Sequence, residues 1–293
     1  MTQELEPIQQ RAERLAGRLP PLLIAAERVA ATVAQGVHGR RRVGQGEAFW
    51  QFRRYQPGDP AQAIDWRQSA KSQPLFVREN EWEAAQSVWL WRDSSPSMRY
   101  RSSKGLAEKG ERADLLLLAL ASLLVRGGEH IALLGGTMVP ARGRSALDRV
   151  AHSLTRPASA GPSLPPYDPL PRHAQVVFIG DFLSSLGDIE GLIRRFASRD
   201  VKGHLLQVLD PAEETLPFGG RIRFEGVEGE GTVLIRRVEA VRRDYIARIA
   251  DHREGLAALA GAAGWSFAGH RTDRPPESAL LALYVGLSTT PGA

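Results

Sequence analysis

The segment Asp93-Ser94-Ser95-Pro96-Ser97 places a carboxylate and two hydroxyls at alternate positions, one residue after the apolar run Val88-Trp89-Leu90-Trp91. In an extended loop, positions i, i+2 and i+4 point the same way. Asp93, Ser95 and Ser97 can therefore converge, and Pro96 is expected to keep the loop from turning helical. Three oxygen side chains suit a hard cation, and Mg²⁺ accepts few carboxylates while keeping several waters. A second apolar run, Val176-Val177-Phe178-Ile179, ends in Gly180-Asp181; the glycine lets the backbones approach. A third stretch, Ala141-Arg142-Gly143-Arg144-Ser145, offers Ser145 just before a helix. Each residue also has a plainer reading. Aspartate and serine readily satisfy loop amides, and Asp181 and Ser145 are good helix caps.

The elements that must position these groups alternate from residue 87 onward. Strands are expected at 87–91, 130–136, 174–181, 202–210 and 265–269, with helices at 106–126, 144–154, 188–199, 238–262 and 275–285. The strands read as continuous apolar runs, as burial on both faces requires. The pattern implies an α/β fold: a Rossmann-like, doubly wound, mainly parallel sheet with helices on both faces. Ligands bind outside the carboxyl ends of such strands, which is where Asp93 and Asp181 fall. The loop 155–172 holds six prolines and is expected as a surface excursion. Residues 211–237 interrupt the alternation with a β-hairpin whose turn is rich in Gly and Glu.

Upstream, residues 1–35 read as a helical segment interrupted at Pro20-Pro21. Residues 36–86 lack helical periodicity and are dense in glycine, proline and aromatics, so they form a small, irregular β-rich element. Residues 87–290 form the α/β domain, with the hairpin inserted at about 211–237.

The chain has 293 residues, 43% of them hydrophobic and 24% charged, enough for a sizeable core. It has no cysteine, which excludes disulfides, thiolate metal sites and a cysteine nucleophile. A polar N-terminus and an apolar maximum of only 115–125 predict a cytoplasmic protein without membrane insertion. The net charge of +5 is a small excess, mostly arginine, and nucleic acid is not the expected partner. No His-Glu-x-x-His or Gly-x-Ser-x-Gly occurs, and Gly44-x-Gly46 neither follows a strand nor opens a helix, so nucleotide binding is rejected. The reading is non-enzymatic. The alternatives are a Mg²⁺-dependent phosphoryl hydrolase, for which Arg99 and Arg101 are the nearby basic groups, and a nucleic-acid-binding module.

Asp93-x-Ser95-x-Ser97 resembles the metal-ion-dependent adhesion site of von Willebrand factor A domains. That resemblance implies a ligand set completed by a threonine from a second loop and an aspartate from a third. Ser145 and Asp181 lie at the matching points of this chain; Ser145 departs from the usual threonine, and Thr137 competes for its role. The stretch 44–80 resembles the signature of the domain of unknown function 58 family, through Gly44, Gly46, Glu47, Arg54, Tyr55, Pro57, Gly58, Asp59, Ile64, Asp65, Trp66, Val77, Arg78 and Glu79. Lys71 stands where arginine is usual. The resemblance implies a von Willebrand A-like core and a MoxR-type AAA+ ATPase as partner, with other von Willebrand A proteins of the same system. Arg54, Tyr55, Gly58, Asp59, Asp65, Trp66 and Arg78 are expected to be structural. The mixed charge of this stretch favours internal Arg–Asp pairing.

Overall fold

The computed structural model describes residues 42–44, 48–54, 69–70, 75–82, 87–136, 138–155, 161–229 and 231–288. The chain divides into two compact units, one spanning Arg28–Gln86 and the other running from Ser87 onward. The first holds a three-stranded antiparallel sheet in the order β1-β3-β2, built from β1 (Arg42–Gly44), β2 (Ala48–Arg54) and β3 (Phe76–Trp82). A register shift between Phe49 and Gln51 bends β2. Arg54 pairs in register with Phe76, and Arg78 with Phe52. Of the other expected structural residues, Tyr55, Gly58, Asp59, Asp65 and Trp66 lie outside the described residues, as does the expected helix of 1–35.

The second unit is a mixed α/β fold around five parallel strands: β4 (Ser87–Arg92), β5 (His130–Leu133), β6 (Gln175–Gly180), β7 (Lys202–Leu209) and, beyond a separate two-stranded hairpin of β8 (Ile222–Glu225) and β9 (Thr232–Ile235), β10 (Ser266–Arg271). Their order across the sheet is β5-β4-β6-β7-β10. In chain terms this is 2-1-3-4-5, so the winding direction reverses between β4 and β6. The connecting helices are α1 (Lys109–Arg126), α2 (Arg144–Thr155), α3 (Leu186–Ala197), the short α4 (Pro211–Thr215), α5 (Val238–Ala262) and α6 (Glu277–Ser288).

Successive side chains of each strand feed opposite cores. Val88, Leu90, Val177, Ile179, Leu206 and Val208 pack with α1, α2 and α6. Trp91, Val176, Phe178 and Leu205 pack with α3 and α5 on the other face. Phe178 is the hub of the second core, with ring centroids 6.0 Å from Trp91, 5.5 Å from Phe196 and 5.9 Å from Trp265. Trp265 lies so close over β7 that a Cβ at Gly203 would come within 2.0 Å of its indole. Burial of both faces explains why these strands read as unbroken apolar runs. The loop carrying the prolines does more than skirt the surface. Leu170 is buried, Tyr167 packs on Phe196 at 5.6 Å, and the Gly161 amide donates to the Ser94 carbonyl at 3.2 Å. Among the described residues, no helix is long and apolar enough to cross a membrane.

Candidate functional site

The end of β4 and the end of β6 flank the point where the winding reverses, the position where ligands gather in sheets of this kind. The Asp93 amide donates to the Ile179 carbonyl at 2.8 Å, which sets the two strand ends side by side. The expectation of an extended loop at 93–97 is corrected by the structure. Ser95 is extended, but Pro96–Arg99 form a 3-10 turn with proline at its start. Proline is compatible with the first position of a helical turn, because the amide it lacks has no partner there. The oxygens converge through this turn. The Ser95 amide donates to Asp93 Oδ1 at 2.7 Å, Ser95 Oγ lies 3.0 Å from Ser97 Oγ, and Ser97 Oγ donates to Asp181 Oδ2 at 2.6 Å. Since Ser97 gives its single proton to Asp181, Ser95 is the donor between the two hydroxyls.

Asp93, Ser95 and Asp181 are buried. Asp93 Oδ1 has its amide partner, but Oδ2 is buried with no hydrogen bond at all. Burial is the largest influence on this carboxyl and pushes its pKa from 3.8 up to about 7; the hydrogen bond from the Ser95 amide opposes the rise, and the charges of Asp181 and Glu228 add to it. A buried acceptor without a donor is costly. A cation beside Oδ2 would supply the missing partner, and Ser97, with its proton turned to Asp181 and one lone pair taken by Ser95, has one lone pair left to offer it. The donor set therefore fits a small hard cation held by Asp93, Ser95 and Ser97. Among the described residues, no group of three or more His, Cys, Asp or Glu side chains is placed to hold a metal ion, so hydroxyls would carry a large share of the coordination.

A positively charged side chain stands behind this group. Lys109 is the first residue of α1 and its side chain is completely buried. Its ammonium lies 2.9 Å from Asp181 Oδ2 and 2.5 Å from Glu213 Oε1. Burial acts to lower the Lys109 pKa, but the two carboxylates outweigh it and hold it raised. A positive charge at a helix N-terminus opposes the helix dipole, which makes the two carboxylates necessary. Glu213 is held by α4, whose N-cap Asp210 accepts the Ala212 amide and also the Ser102 amide, each at 2.8 Å. Sequence reading missed Lys109, because its partners lie 72 and 104 residues away.

Asp181 is not the cap of α3; Ser185 takes that place, accepting the Asp188 amide at 3.2 Å. The chain turns sharply after Asp181, with Phe182 at φ 48° in the left-handed region. Gln207 Nε2 donates to the Asp181 carbonyl at 2.8 Å and fixes that turn. Ser145 is not ahead of α2 but is its second residue; it is exposed and forms no hydrogen bond with the Asp93–Asp181 group. Thr137 lies outside the described residues. Arg99 is exposed, and Arg101 faces Glu108 at 3.9 Å. Glu228, at the tip of the β8–β9 hairpin, reaches the site unannounced by sequence: its Oε1 accepts the Ser97 amide at 3.4 Å.

Gly180 explains the close approach of the two strand ends. A Cβ there would lie 2.9 Å from the Cβ of Asp93. Gly180→Ala is expected to force the strand ends apart and cost about 1–3 kcal/mol, the usual range for overpacking. Urea unfolding measures this, and stability equal to wild type would mean that Asp93 can move away freely.

Residues 51–255 match the family model described as "Protein of unknown function DUF58". Uncharacterized proteins of Mycobacterium tuberculosis and Mycobacterium bovis are 27% identical to the chain, over 89% of its length and 86% of theirs. The conserved hypothetical protein BatB of Bacteroides thetaiotaomicron aligns with a TM-score of 0.38 at 18% identity, over 69% of this chain and 97% of that one. An aerotolerance-related membrane protein of Bacteroides fragilis aligns with a TM-score of 0.39 at 17% identity, over 69% and 98%.

Proposed function

The chain belongs to the DUF58 family of proteins of unknown function, and from that premise we propose that it is a non-enzymatic interaction module whose parallel sheet presents a von Willebrand A-like, cation-dependent adhesion site. The observation that carries this reading is the buried, unpartnered Oδ2 of Asp93 beside two serine hydroxyls at the reversal of the sheet. Asp93, Ser95 and Ser97 would hold Mg²⁺; Asp181 acts through Ser97, whose proton it accepts. A bound Mg²⁺ supplies a positive charge with oxygen positions left to water, which an outside carboxylate can take. Lys109 compensates Asp181 and Glu213 from behind, leaving Asp93 as the nearest uncompensated acid. Burial disfavours ionisation of that acid, and a bound cation would offset this.

By the family resemblance, the partner is a MoxR-type AAA+ ATPase, with other von Willebrand A proteins of the same system. Its contact would be an exposed Asp or Glu side chain. The test has two arms. Calorimetry with Mg²⁺ and Mn²⁺ on wild type and Asp93→Ala should give binding heat in the first and none in the second, with both folded. A pull-down of the ATPase should succeed in Mg²⁺ and fail in EDTA. Equal recovery in both buffers would place the docking surface away from this site, and equal heats in both proteins would remove the cation from Asp93.

A further inference from the structure

Resting on the adhesion-site reading above, we propose that the β8–β9 hairpin is an internal occupant of the site: Glu228 offers its carboxylate to a cation held by Asp93, Ser95 and Ser97, and a partner's carboxylate must displace it. The hairpin is inserted between α4 and α5 and is hydrogen-bonded to neither edge of the five-stranded sheet. Its base is anchored. The Phe218 and Phe224 rings stack edge-on at 6.0 Å, the Val238 amide donates to the Gly220 carbonyl at 3.0 Å, and the Gly220 amide donates to Glu239 Oε1 at 2.7 Å. Its tip is closed by the Gly226 amide on the Gly231 carbonyl at 2.7 Å, with Gly229 and Gly231 at positive φ. From that tip Glu228 reaches across 131 residues of sequence to the Ser97 amide. The same carboxylate is near enough to Asp93 for its charge to be felt there.

Three features make Glu228 an occupant and not merely a brace. Its carboxylate accepts the amide of Ser97, one of the residues that would hold the cation, and its charge is felt at Asp93, so it stands within reach of that cation. The contact is long, at 3.4 Å, and solvent-exposed, so it can be exchanged. Val227, next to Glu228, is 57% exposed, giving the tip an apolar residue beside an acid. The tip thus carries the carboxylate expected of a competing partner, beside an exposed apolar residue. A two-stranded hairpin is marginal by itself, so the tip can lift while the sheet and its cores remain intact.

Water-proton relaxation of protein-bound Mn²⁺ in the full chain tests this, because relaxation reports the waters on the ion directly. Glu228→Gln retains an oxygen for the Ser97 amide but loses the charge. The variant is expected to carry one more inner-sphere water than wild type. Added acetate should then lower its relaxivity at concentrations that leave wild type unchanged. Identical relaxivity and identical acetate response, with Mn²⁺ bound in both, would overturn the proposal and leave Glu228 as a brace for the 3-10 turn. Failure of the underlying site reads differently: wild type would bind no Mn²⁺, or would bind it equally after Asp93→Ala, and the hairpin proposal falls with it.

Discussion

Lys109→Met is expected to lower the melting temperature by roughly 10 °C. The variant keeps the length of the side chain and removes its charge. Asp181 and Glu213 are then left in the interior without the ammonium that lies within 2.9 Å of both. Breaking a buried pair by removing one partner typically costs about 3–5 kcal/mol. In a domain of about 200 residues each kcal/mol moves the midpoint by roughly 2–4 °C. Adding Glu213→Gln to the variant removes one of the stranded charges and should restore part of the loss. A double-mutant cycle measured by thermal unfolding isolates the coupling. A single-variant loss below about 2 °C would mean that the two acids find water or protons without the lysine, and that the polar group behind the site is not structural.

Asp93→Asn should have the opposite sign in metal-free buffer. The folded-state pKa of Asp93 is raised from 3.8 to about 7 by burial. Below pH ~4 the carboxyl is protonated in both the folded and unfolded chains, and the site contributes nothing. Between pH ~4 and ~7 the folded chain keeps a proton that the unfolded chain releases, so stability falls by about 1.4 kcal/mol per pH unit. Above pH ~7 the penalty is constant, at as much as about 4 kcal/mol. The asparagine variant is free of it. Its stability advantage over wild type should therefore grow from pH ~4 to ~7 and then level off. Mg²⁺ at pH 8 should stabilise wild type by offsetting the same buried charge and leave the variant unchanged. A variant less stable than wild type at pH 8 without metal would show that the carboxylate is already compensated by the protein.

The sheet was legible in the sequence because burial on two faces leaves a local mark. Val176-Val177-Phe178-Ile179 and Leu205-Leu206 are apolar at every position, and the helices between such runs carry their own periodicity. The helix expected at 238–262 matches α5 over its whole length, and the hairpin expected near 211–237 appears as β8 and β9. Asp93, Ser95 and Ser97 could be singled out because their spacing lies within five residues. The shape of their loop could not. Pro96 was expected to prevent helical geometry, whereas at the first position of a turn it promotes it. Lys109 and Glu228 were invisible for a different reason. Their meaning comes from partners 72 to 131 residues away, and nothing in Glu108-Lys109-Gly110 or Gly226-Val227-Glu228 distinguishes them from solvated charges.

The reversal of winding between β4 and β6 also dictates when the site can come into being. A chain emerging from the ribosome through α2 already contains Asp93, Ser95, Ser97 and Lys109, yet no acid for Lys109 to face. Asp181 arrives 84 residues after Ser97, Glu213 arrives 104 residues after Lys109, and Glu228 later still. Contacts of such separation form late, after the loop between them has been closed. Until β6 docks beside β4, the lysine at the head of α1 cannot enter the interior without stranding its charge. The nascent half-domain must therefore hold that end of α1 in water, and the Asp93–Asp181 group comes together only when nearly the whole α/β unit has been synthesised.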